Sequence, residues 1–124
     1  MAGFIKLEVK RLPVQAINTK INSEIFESFQ RRCKEQNIPM NVVIEAFARQ
    51  YAHGRYELSK ESILKWKGNI DETSILNTPI NKDVYYRFKD TVKTQKLFVK
   101  HVLSAFIEDY GKNNLELEFI RRDK

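Results

Sequence analysis

The chain of 124 residues has a single cysteine, Cys33, four glycines, three prolines and two histidines. One cysteine excludes an internal disulfide framework and a cysteine-based zinc site. No glycine-rich phosphate loop is present, and His53 and His101 do not share a metal-ligand spacing or stand in a suggestive Ser/His/Asp arrangement. The acids are scattered over helix starts and exposed faces rather than clustered as a nuclease would need. No apolar run approaches the roughly 18 residues that span a membrane, and the first residues lack the apolar core of a signal peptide. These absences argue against an enzyme, a metal site or a cofactor, and lead to the expectation of a cytoplasmic protein.

A positive charge is present. Net charge is +6, with a pI near 9.5, which suits a polyanionic partner without identifying one. The excess is shared: residues 1–58 carry nine Lys/Arg against six acids, and residues 59–124 thirteen against ten.

The chain also contains one stretch twice. Shifting the sequence by 59 positions lays Ile17-Asn18-Thr19-Lys20-Ile21-Asn22 on Leu76-Asn77-Thr78-Pro79-Ile80-Asn81, Phe29 on Phe88, Ala46-Phe47 on Ala105-Phe106 and Tyr51 on Tyr110. Eleven of the 36 aligned positions are identical. A repeat bears on the whole fold. Each copy reads as one short strand and two short helices, too little to bury a core alone, whereas two copies can share one.

In the first copy, Ala16–Ile21 alternates as a strand, with Ile17, Thr19 and Ile21 on one face and Ala16, Asn18 and Lys20 on the other. Asn22 is placed to cap a helix running to about Gln36, with Ile25, Phe26, Phe29 and Cys33 as its apolar stripe. Asn37-Ile38-Pro39 breaks it. A second helix runs from Pro39 or Met40 to Ala52, burying Val43, Ala46, Phe47 and Tyr51, and His53-Gly54 stops it. In the second copy, Ile75–Ile80 is the strand, Asn81 precedes the first helix, and the second helix ends at Gly111. Neither glycine nor proline marks its internal break, so Lys96-Leu97-Phe98 is placed by the repeat alone.

The domain reading follows: an arm or edge strand over 1–15, a first unit over 16–53, a linker with a short helix over 54–74, a second unit over 75–111, and a tail or strand over 112–124. Residues 4–12 and 115–119 alternate and are expected as extra terminal strands. In the linker, Ser59 caps a short helix carrying Ile63, Leu64 and Trp66.

The alternation of Ala16–Ile21, the Asn-x-Glu helix start at 22–24 and the turn Asn37-Ile38-Pro39-Met40-Asn41-Val42-Val43-Ile44 resemble the ribbon-helix-helix proteins, the Arc, MetJ and CopG superfamily, as a tandem pair. The resemblance covers roughly 16–53 and 75–111 and implies a mainly α fold with a two-stranded antiparallel ribbon. The unit β-α-α, repeated twice, would form an intramolecular pseudo-dimer. It also implies a sequence-specific double-stranded DNA-binding protein, a transcriptional regulator acting as a repressor, associated with the nucleoid. The ribbon enters the major groove, and each second helix holds a phosphate at its start. On that reading Asn18, Asn77, Lys20, Ala16 and Ile75 face the bases. Met40, Asn41, Val99 and Lys100 form the phosphate clamps, while Lys6, Lys10 and Arg11 add backbone contacts. Asn pairs bidentately with adenine, and helix N-termini attract anions. Because Lys20 matches Pro79 and Ala16 matches Ile75, an asymmetric reader of an imperfect palindrome is expected.

Two alternatives stand beside the repressor. One is a conjugation accessory protein of the TraY type, which is similar in carrying a tandem ribbon-helix-helix and would bind a transfer origin and work with a relaxase. The other is an antitoxin-type interaction protein, against which the short tail after Gly111 argues. Assembly of units side by side on repeated sites, a ribbon swapped between chains, and contact with transcription machinery are further open partner relationships.

Overall fold

A computed structural model describes residues 13–68 and 71–112. The strands expected at 4–12 and 115–119, and the candidate contacts Lys6, Lys10 and Arg11, lie outside the described residues. In order, the elements are β1 (Val14–Asn22), α1 (Ser23–Gln36), α2 (Met40–Ala52), α3 (Lys60–Leu64), β2 (Thr73–Asn81), α4 (Lys82–Thr94) and α5 (Val99–Gly111). The fold is mainly helical, with one two-stranded sheet.

β1 and β2 are antiparallel, with Val14 opposite Asn81, Asn18 opposite Asn77 and Asn22 opposite Thr73. Both strands are longer than the alternation alone indicates, because main-chain pairing continues past their last apolar residues. Beyond the strands, Ser23 N–H donates to Glu72 C=O at 2.9 Å and Lys82 N–H to Pro13 C=O at 3.0 Å. An isolated ribbon of two strands is marginal in water. This one is held from beneath by Ile17, Ile21, Leu76 and Ile80, all buried in the helical core.

α1 and α4 start where expected. The Asn22 side chain accepts from Ile25 N–H at 3.2 Å, and Asn81 from Val84 N–H at 3.1 Å. Both helices end in the same way. Asn37 and Lys96 adopt the left-handed conformation, with φ of 58° and 62°. Ile38 N–H then reaches back to Cys33 C=O at 3.0 Å, and Leu97 N–H to Val92 C=O at 3.1 Å, closing orphan helix carbonyls. Asparagine tolerates this conformation; lysine has no such excuse, which is why the second break carries no sequence signal.

The helices interlock: α1 packs on α5 and α2 on α4. Phe47 and Phe106 stack at the centre, with centroids 4.1 Å apart and planes 11° from parallel. Around them Phe29 meets Phe106 at 6.2 Å and Phe88 meets Phe47 at 5.6 Å, both edge-on. Phe29 meets Tyr110 at 5.7 Å and Phe88 meets Tyr51 at 5.6 Å, again edge-on. These are favoured aromatic geometries. Cys33 lies in this core, and burial pushes its thiol up to about 12 against a smaller opposing effect of Arg32, so it is an inert packing residue.

One local expectation needs correction. The linker helix ends at Leu64, which is exposed; Ile63 is the residue that buries, and Trp66 follows the helix, packed against the core. The segment also docks through charge: Lys65 Nζ lies 2.7 Å from Glu108, which Lys112 contacts as well at 2.9 Å. α5 ends at Gly111, as expected, with Lys112 as the cap. A Cβ at Gly111 would come within 3.1 Å of Phe29 N and Ser28 Cβ, so the glycine serves the close approach of α5 to α1.

Among the described residues no helix is long and apolar enough to cross a membrane.

Candidate nucleic-acid interface

The period of two in each strand sends alternate residues into the core, and the remainder must face outward. On β1 these are Val14, Ala16, Asn18 and Lys20; on β2 they are Thr73, Ile75, Asn77 and Pro79, and all eight are exposed. The register joins them into cross-strand rows: Asn18 beside Asn77, Lys20 beside Ile75, Ala16 beside Pro79. All five ribbon residues singled out from the sequence are therefore brought onto one exposed face. Ile75 is 63% exposed and Val14 61%.

The four helix-start candidates are split between two places. Met40 and Asn41 begin α2 after the cap residue Pro39; Val99 and Lys100 begin α5 after Phe98. Neither start has a side-chain cap, whereas α1, α3 and α4 are capped by Asn22, Ser59 and Asn81. The first N–H groups of any helix lack intrahelical partners and carry partial positive charge. Met40 and Val99 pack their side chains against the core, so only their main chain is offered. Asn41 is half-buried and Lys100 exposed.

The surroundings of α5 are the more cationic. The His101 imidazole has its pKa lowered, first by burial and then by the positive charges of Lys100 and Lys67. The histidine ring also meets Phe98 edge-on at 5.5 Å. Lys67 had no sequence signal as part of this surface, because it comes from the linker and reaches α5 only through the docking of α3.

Glu45 is a second residue that the repeat could not reveal. Its Oε1 accepts from Asn81 N–H at 2.8 Å and its Oε2 from Arg49 Nη2 at 2.9 Å. It ties α2 to the end of β2. Ser104 stands 59 positions on and instead bonds Lys100 C=O within its own helix at 2.8 Å.

Comparison with models of protein families, with curated proteins and with solved structures gave no significant match.

Proposed function

We propose that this protein binds double-stranded DNA sequence-specifically, as a single-chain ribbon-helix-helix pseudo-dimer, and acts as a transcriptional repressor. The β1–β2 ribbon enters the major groove, which admits a two-stranded ribbon. Asn18 and Asn77 read the central bases, with Lys20, Ala16 and Ile75 beside them. The uncapped starts of α2 and α5 hold flanking phosphates through N–H groups at Met40, Asn41, Val99 and Lys100.

The observation that carries this reading is the pair Asn18–Asn77, directly opposed and both exposed. In this register partners have numbers summing to 95, while repeat equivalents differ by 59. Both conditions hold at one pair alone, Asn18 and Asn77, so an approximate twofold axis runs between the two asparagines. The Phe47–Phe106 stack supports the same axis, since those rings also lie 59 positions apart, and the edge-on contacts around them form equivalent pairs. An axis through a ribbon matches the local symmetry of a DNA duplex. The net charge of +6 favours the encounter.

The test is binding to a duplex selected from a random pool. Asn18→Ala and Asn77→Ala should each lose about 1–3 kcal/mol for the selected site and little for unrelated DNA. Unchanged specificity in both variants counts against ribbon reading.

A further inference from the structure

The exposed face of the ribbon differs in chemistry from one end to the other. On one side of the Asn18–Asn77 row stand Lys20, Ile75 and Thr73; on the other stand Val14, Ala16 and Pro79. The first end has an ammonium and a hydroxyl. Among the described residues, Val14, Ala16 and Pro79 at the second end carry no side-chain donor or acceptor, and the Oδ1 of the remaining polar residue there, Asn81, caps α4. We propose that the two ends read unlike half-sites: Lys20 takes guanine in one, and Val14, Ala16 and Pro79 take thymine methyl groups in the other. This rests on the DNA-binding reading above.

The chemistry of the major-groove edge supports the assignment. Guanine offers N7 and O6 as acceptors there, and thymine offers its C5-methyl as the apolar feature. A long cationic side chain suits the former, and small exposed apolar side chains suit the latter. Exposed apolar residues on a ribbon gain only when something covers them. The charge of the protein and the flanking Lys20 favour a polyanion as that occupant. The equivalences sharpen the contrast: Lys20 is replaced by Pro79, Thr73 by Val14 and Ile75 by Ala16, so a symmetric operator would leave Lys20 matched in one half-site alone.

The experiment uses the full chain. A site is first selected from random duplexes, then rebuilt with 7-deazaguanine for guanine or deoxyuridine for thymidine in one half at a time. The consensus should specify guanine in one half and thymine in the other. Removing guanine N7 should cost roughly tenfold in that half. Removing thymine methyls in the other should cost roughly fourfold per methyl and erase its preference. Pro79→Lys should add a guanine preference where thymine was read. A perfect inverted repeat, equal N7 effects in both halves, or a preference that survives uracil overturns the proposal while leaving ribbon reading intact. Failure of ribbon reading looks different: no duplex is retained above background, or the selected site is kept by both Asn18→Ala and Asn77→Ala. Concentration-dependent self-association that Ile75→Lys abolishes would assign this face to a second copy, and overturns both.

Discussion

Phe47 and Phe106 stack with 4.1 Å between ring centroids, and both rings are fully buried. Each also meets a phenylalanine of α1 or α4 edge-on. Truncating either ring opens a cavity at the point where α2 and α5 meet. Phe47→Ala and Phe106→Ala should each lose about 3–5 kcal/mol in urea unfolding. The double variant should lose less than the sum, because the two share one contact.

Lys96 holds a left-handed conformation with φ of 62° at the end of α4. The conformation costs a side-chain-bearing residue about 1–2 kcal/mol and glycine almost nothing, although glycine loses more chain entropy on folding. Lys96→Gly should therefore stabilise the protein by about 0.5–1 kcal/mol. Asn37→Gly should give less, since asparagine already tolerates φ near 58°. Thermal unfolding of the two variants gives the ranking.

Lys100 is exposed at the uncapped start of α5. As a phosphate contact it carries no sequence information. Lys100→Ala should weaken selected and unrelated duplexes alike and reduce the slope of log K against log salt by about 0.9. Titrations at several salt concentrations measure both.

His101 reports on the same place. Burial and then the charges of Lys100 and Lys67 hold its pKa below 6.5. Lys100→Ala should raise it. A phosphate bound at the helix start should raise it too, so DNA affinity should increase as pH falls through this range. For folding the sign is opposite. The unfolded chain takes up the proton first, so stability is complete above about pH 6.5 and declines as pH falls below it. NMR titration of the imidazole, free and with DNA, reads each shift.

The strands, the break after Gln36 and the Asn22 and Asn81 caps were legible because each depends on local chemistry: alternation, proline, a short side-chain acceptor. The break at Lys96 depends on tertiary packing that overrides a poor local residue, and it was found only through the first copy. The antiparallel partnership of β1 and β2 could be expected from the resemblance, yet its register could not. Register decides that Lys20 shares a row with Ile75 and not with Pro79. Lys67 and Glu45 were illegible for a different reason. Their significance comes from interactions across 34 and 36 positions of sequence, electrostatic with His101 for one and a hydrogen bond from Asn81 for the other. Gly111 marks the end of α5 as its position in the chain indicates, whereas its close approach to α1 leaves no pattern along the chain.

Both ribbon strands belong to one molecule. On the proposed DNA-binding reading no second chain is needed to form the ribbon, and occupancy of a site should rise in simple proportion to protein at low concentration, without the lag of a prior pairing equilibrium. It also frees each strand to change by mutation alone, since a substitution in one is not imposed on the other, as it would be between identical subunits.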